Sequence, residues 1–325
     1  MENTRLVWMD FARGLCILLV ILMHATGTVE AAGREPPAGL TLFNQALEPF
    51  RMPLLMFLSG MLLSKSLDKP PYEYVRGKIF QIYWPYLLWS YADLATRGLL
   101  ASDLAIQLPW RAPTYLWYLY FLFLFYLVAL ALHRFRTPLL PVILLCLALS
   151  PFAPSFLRLS RMLYLFPFFL LGHLAVLHRD RLAVTLASRW LLLACALMAA
   201  AGAILSANGF RVRYFSPYFW SPLALILLML AAAPRFSPAP WSRPVEWIGR
   251  NGIVFYTAHL VFQRLIVDAL LQAGWRGFWP CSSAHSPFRS PARPCSRWEG
   301  RATACWGCPS IWAWRCRHGE ARPDS

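Results

Sequence analysis

Asp10, Arg13 and His24 are the polar residues of an otherwise apolar stretch near the start of the chain. It reads Asp10-Phe-Ala-Arg13-Gly14, then Leu15 to Met23 almost wholly apolar, then His24. On a helix, eleven steps of 100° bring His24 to within about 20° of the direction of Arg13. Asp10, three residues before Arg13, shares that face. A charge at bilayer depth costs about 2.5–3.5 kcal/mol even on insertion scales, so such a stripe turns away from lipid and lines a substrate path or reaction site. Histidine suits proton transfer because its ordinary pKa lies near working pH. Arginine suits phosphate, carbonyl or developing negative charge. About 16 Å of helix axis separates Arg13 from His24, so Arg13 does not touch the atom that His24 activates. Asp10 is further still, which excludes an Asp10–His24 dyad. Asp10 is expected to pair with Arg13 or Arg5, lowering the cost of burying both. The residue that orients His24 must come from another span.

The composition requires that these residues sit in a membrane. The 325 residues are 58% hydrophobic and 14% charged, with mean hydropathy +0.47, against about 25% charged in soluble domains. No strand alternation competes with the apolar runs, which predict an all-α polytopic transmembrane helix bundle. Nine spans are readable, at 7–27, 45–64, 79–98, 114–132, 138–152, 162–178, 190–207, 216–233 and 251–272. The fifth is short and has Pro138, Pro141 and Pro151 at its ends. The first span is too long for a cleavable signal peptide and no small-residue cleavage site follows it.

Orientation follows from where lysine and arginine fall in short loops. With a cytoplasmic N-terminus, inner segments hold thirteen, including all the lysines, and outer segments hold eight: Arg34, Arg51, Arg97, Arg111, Arg158, Arg161, Arg211 and Arg213. The net charge of +16 therefore reflects topology and anionic lipid. No folded basic module for nucleic acid is visible.

Five segments, in order, resemble the acyltransferase family 3 integral membrane proteins. They are Asp10-Phe-Ala-Arg13-Gly14 with His24, Phe50-Arg51-Met52-Pro53 through Phe57-Leu58-Ser59-Gly60, Leu116-Trp117-Tyr118-Leu119, Phe166-Pro167-Phe168-Phe169-Leu-Leu-Gly172, and Ile248-Gly249-Arg250-Asn251 with Tyr256 and His259. The resemblance covers roughly 5 to 272 and implies about ten spans. It implies transfer of an acyl group, acetyl above all, from cytosolic acetyl-CoA to a hydroxyl of a cell-envelope glycan or glycolipid at the inner membrane. On that reading His24 is the general base or an acyl-carrying nucleophile. Arg13 binds the donor or stabilises charge, with Asp10 supporting it. Arg51, Trp117, Tyr118 and His259 contact substrate. A coenzyme A pantetheine arm is long enough to span Arg13 and His24. No metal is implied.

Plainer roles stand beside these. Arg51 could pair with Glu48 at i, i+3, Trp117 and Tyr118 could be interfacial aromatics, and Arg264 could pair with Asp268 at i, i+4. Ser59-Gly60 and Phe169-Leu-Leu-Gly172 read as close-packing points between helices. The alternative function is a transporter or flippase of lipid-linked saccharides without acyl-transfer chemistry. No internal repeat and no paired interrupted helices favour it.

Composition divides the chain into a membrane-embedded domain over 1–274 and a tail over 275–325. The tail holds five of the eight cysteines (Cys281, Cys295, Cys305, Cys308, Cys316), eight arginines, no lysine, six prolines and six tryptophans in no periodic order. That resembles out-of-frame translation of GC-rich DNA, and predicts a disordered or frameshifted segment that replaces a last span. A zinc site from Cys305, Cys308, Cys316 and His318 is the sharper alternative, on a single CxxC with irregular spacing. Cys16, Cys146 and Cys195 lie within spans as small apolar residues.

Overall fold

The computed structural model describes residues 7–110, 112, 114–154, 158–236 and 239–273. The Cys/Arg/Trp/Pro-rich tail lies outside these residues. In chain order the helices are α1 (Val7–Ala31), α2 (Ala38–Leu47), α3 (Arg51–Gly60), α4 (Leu63–Leu67), α5 (Pro71–Lys78), a π segment (Ile79–Tyr83), α6 (Trp84–Thr96), α7 (Asp103–Gln107), α8 (Trp117–Arg134), α9 (Leu139–Leu149), α10 (Leu159–Leu177), α11 (Arg179–Thr185), α12 (Arg189–Ala207), α13 (Trp220–Ala232), α14 (Arg243–Arg250) and α15 (Gly252–Gln272). No strand occurs among the described residues. The protein is an all-α polytopic bundle.

Nine spans are not what the bundle contains. Six helices among the described residues are long and apolar enough to cross a bilayer: α1, α8, α10, α12, the 216–235 segment around α13, and α15. The other three expected spans take different forms, each for a local reason. The run 45–64 divides between α2, α3 and α4. Pro49 has no N–H to continue the ladder, so α2 stops, and the chain passes through a turn at 48–50 before α3 begins. The run 79–98 is entered from α5 through the π segment just ahead of Pro85, a common way to accommodate a ring that clashes with the α ladder. The run 138–152 yields only the 11 residues of α9, about 16 Å of helix against a core of about 30 Å.

Glycines set the closest helix approaches. A side chain at Gly60 would meet the Phe169 carbonyl, and one at Gly172 would meet the Phe57 carbonyl, so the two expected packing points interlock α3 with α10. Gly14 and Gly249 do the same for α1 and α14: a side chain at either would strike the other helix's backbone, at Val245 and Asp10 respectively. Small residues let backbones approach where lipid supplies no hydrophobic drive. Cys16, Cys146 and Cys195 are buried, unbridged thiols in the interior.

Candidate active site

His24 and His259 meet across α1 and α15. Their ring centres lie 5.1 Å apart, and Tyr115 closes the group with its ring 6.2 Å from His24 and 5.4 Å from His259. Two contacts hold the segment ahead of α8 against α15: the Tyr115 hydroxyl donates to the Thr257 carbonyl, and the Tyr256 hydroxyl donates to the Tyr115 carbonyl at 3.2 Å. On the other side, the Gln263 amide donates to the Ile21 carbonyl at 2.9 Å and pins α15 to α1 one turn before His24. Arg264, expected to pair with Asp268, instead reaches Asp93 of α6. Asp93 is fully buried and also faces Arg97 at 3.5 Å. Burying that carboxylate in the bilayer region requires a cation partner, which Arg264 supplies.

His259 is buried and its Nδ1 lies 2.8 Å from the Tyr256 carbonyl. A carbonyl can only accept, so Nδ1 carries the proton and Nε2 presents a lone pair. That Nε2 is buried without a hydrogen-bond partner among the described residues. Buried polar atoms are nearly always satisfied, and an exception marks a place where something else binds or reacts.

A polar path leads from this group toward Arg13. Tyr256 packs against Tyr118 with ring centres 5.2 Å apart. The Tyr118 hydroxyl shares a 3.0 Å hydrogen bond with Ser59, and the Tyr126 hydroxyl donates to the Ser59 carbonyl at 2.9 Å. Arg13 donates to the neighbouring Leu58 carbonyl at 2.8 Å. A guanidinium with one carbonyl partner keeps further donors for a ligand. Tyr118 therefore sits midway between the arginine and histidine ends of α1, which its place in a Trp-Tyr pair did not reveal.

The remaining candidates separate from this path. Asp10 belongs to a clamp between α1 and α14: it is buried and faces Arg250 at 3.5 Å. Arg250 also faces Glu246 at 3.5 Å, and Ser242 donates to Glu246 at 2.5 Å. Arg5 lies outside the described residues. Arg51 is buried and does not make the expected pair with Glu48, which binds Arg213 instead. Arg51 donates to both the carbonyl and the side-chain oxygen of Asn44 at 2.8 Å, leaving Nε and Nη1 without partners. Trp117 packs under Arg161, whose guanidinium carbon lies 4.7 Å from its ring centre.

Tyr115 and Asp93 were absent from the sequence reading. Asp93 carried a usable signal, as the one acidic residue of the 79–98 run. Tyr115 carried none, since its role depends on where the α7–α8 connection lands. Among the described residues, no group of three or more His, Cys, Asp or Glu side chains could hold a metal ion.

Comparison with known proteins agrees with the motifs. The family model described as an acyltransferase domain, acyltransferase family 3, matches residues 6–284. The chain is similar to the inner membrane protein YcfT of Escherichia coli, at 27% identity over 46% of this chain and 50% of that protein. It is also similar to the nodulation protein NolL of Mesorhizobium japonicum, at 24% identity over 53% of this chain and 48% of that protein. NolL of Sinorhizobium fredii matches at 31% identity over 53% and 49%. The chain thus spans about half the length of the curated relatives it matches. No solved structure matches it. With most of its length under one family model, this chain belongs to acyltransferase family 3, the membrane-embedded acyltransferases.

Proposed function

We propose that this protein is an inner-membrane O-acyltransferase that moves an acetyl group from cytosolic acetyl-CoA to a hydroxyl of an envelope glycan or glycolipid. The observation that carries the reading is the meeting of His24 and His259 from distant parts of the chain, with an unpartnered buried acceptor nitrogen on His259. On the orientation given by the lysine and arginine bias, that pair lies toward the outer face and Arg13 toward the cytoplasm. The family match supports the acyl donor. The printed name of the Escherichia coli relative supports the inner membrane.

In this reading the neutral imidazole of His24 takes the proton of the acceptor hydroxyl as its oxygen attacks the thioester carbonyl carbon. The carbon–sulfur bond then breaks, and the departing thiolate takes the proton back from the imidazolium. His259 orients the acceptor by accepting at Nε2 from a neighbouring hydroxyl of the same sugar, since its own Nδ1–H is committed to the Tyr256 carbonyl. Arg13 holds a phosphate or carbonyl of the donor, and the Tyr118 and Ser59 hydroxyls line the stretch between. Asp10 supports this arrangement by fixing α1 against α14. Arg51 and Trp117 border the acceptor side.

Membranes containing the parent chain, His24→Ala or Arg13→Ala are supplied with acetyl-labelled acetyl-CoA, and label is followed into glycan and lipid fractions. The parent labels an acceptor and His24→Ala at equal abundance does not. Undiminished labelling by His24→Ala overturns the assignment of the base.

A further inference from the structure

Four of the eight arginines expected on the outer face gather in one cavity. It encloses about 470 Å³ between the end of α12, the start of α10 and the α2–α3 turn, and is lined by Glu48, Arg158, Arg161, Arg211, Arg213 and Tyr214 among others. Glu48 is its only carboxylate among the described lining residues, and Arg213 occupies it. The others are arranged without an acid. Arg161 is held over two aromatic faces, 4.7 Å from the Trp117 ring centre and 4.5 Å from that of Tyr214. This fixes its guanidinium plane while leaving its edge to donate. Burial, and then the neighbouring Arg161, pull the Arg158 guanidinium down to about 10, still charged at neutral pH.

The backbone is strained at the same place. Arg158 and Tyr214 both have positive φ, at 57° and 55°. For residues other than glycine this is a strained conformation, and it clusters at sites that bind or switch. The chain links the aromatic support of Arg161 to the histidine pair. Trp117, under Arg161, is two residues from Tyr115, which packs on both histidines.

Crowded cations, one carboxylate and a guanidinium fixed over aromatic rings fit a carbohydrate that carries negative charge. Resting on the acyl-transfer reading, we propose that this cavity binds an anionic group of the acceptor, a carboxylate or a phosphate. Arg158, Arg161 and Arg211 neutralise it, with Trp117 and Tyr214 holding the Arg161 guanidinium in place. The charge then selects acceptors and sets which hydroxyl reaches His24.

The test measures binding directly, by calorimetry on the full chain purified in detergent. The probes are trigalacturonate, a hexose 1-phosphate and a neutral galactose trisaccharide. At least one anionic probe binds tenfold or more tighter than the neutral one, and the advantage shrinks with added salt. The anionic probe that wins identifies the group. Arg161→Gln and the exposed Arg211→Gln each reduce the preference, and Arg161→Lys retains part of it. Thermal unfolding identifies any variant that has not folded, and Arg211→Gln then decides. Equal affinity for all three probes, or a preference untouched by Arg211→Gln and by a folded Arg161→Gln, overturns the proposal. Acetyl transfer is scored separately. A chain that binds the anionic probe but transfers nothing keeps this inference and loses the acyltransferase reading, and one that transfers to neutral acceptors without preference does the reverse.

Discussion

Substituting both histidines of the pair asks whether they work as one unit. His24→Ala removes the proposed base, and general bases contribute about 10²–10⁴ in rate, or about 2.7–5.4 kcal/mol at 1.36 kcal/mol per tenfold. His259→Ala removes a ring 5.1 Å from His24 whose Nε2 has no other partner. Losing one positioned hydrogen bond costs about 0.5–1.5 kcal/mol when neutral groups are involved, or about two- to twelvefold. Independent residues would make the double variant slower than the parent by the product of the two losses. Residues that act on the same acceptor are non-additive instead. Without a base to receive the proton, orienting the hydroxyl brings nothing, so the double variant falls no further than His24→Ala. The assay is initial-rate transfer of labelled acetyl in membranes, normalised to protein abundance. A double variant at the product of the singles refutes the shared role and makes His259 a structural residue of α15.

Three further perturbations probe the supports of the site. Asp93→Ala leaves Arg264 without its carboxylate at a third-exposed side chain; removing one partner of a buried pair costs about 3–5 kcal/mol. The lower end applies here, seen as lost thermal stability in detergent that Arg264→Leu partly restores. Gly249→Ala forces a methyl against the Asp10 carbonyl, and overpacking of this kind costs about 1–3 kcal/mol; a melting temperature equal to the parent's would show that α14 shifts freely. Arg13→Ala raises KM for acetyl-CoA about 10- to 150-fold, on about 1.5–3 kcal/mol for a hydrogen bond to a charged group. Arg13→Lys recovers part of that, and an unchanged donor KM removes Arg13 from donor binding.

The sequence was most informative where a rule of the bilayer applied to single residues. The face shared by Arg13 and His24 could be read because helical period and the cost of membrane charge both act within one segment. Gly60 and Gly172 could be read as close-packing points for the same kind of reason, although not as each other's partner. Pairings across helices were the hidden part. Glu48 has Arg51 at ideal helical spacing, yet Pro49 ends the helix between them and hands Glu48 to Arg213, 165 positions on. Arg264 likewise passes over its i+4 neighbour for Asp93, because an aspartate sealed in the bundle gains more from a cation than a solvent-facing Asp268 does. Span count failed for a related reason. Windowed hydropathy registers apolar residues whether or not prolines let them form one helix, and 45–64 and 138–152 show what those prolines do.

The two ends of α1 are held in different ways, and this has a mechanistic sense. At the Asp10 end, interlocked glycines and the Asp10–Arg250–Glu246 ion cluster bind α1 to α14 backbone against backbone. At the His24 end, α1 meets its neighbours through aromatic rings and the side-chain amides of Gln263 and Asn44. Bringing a thioester up from one side and a bulky hydroxyl in from the other requires the second end to admit both, so close-packed glycines there would be a hindrance. The tight clamp instead fixes the axis of the helix, and so fixes where Arg13 and His24, held about 16 Å apart by the helix itself, stand against the neighbouring helices. Loosening the clamp should therefore alter which donor length is used before it alters the chemistry at His24. Gly249→Ala tested with acetyl-, propionyl- and succinyl-CoA measures this: a shift in donor preference with proton transfer intact supports the clamp as a ruler, whereas equal loss for all three donors would make it only a fold contact.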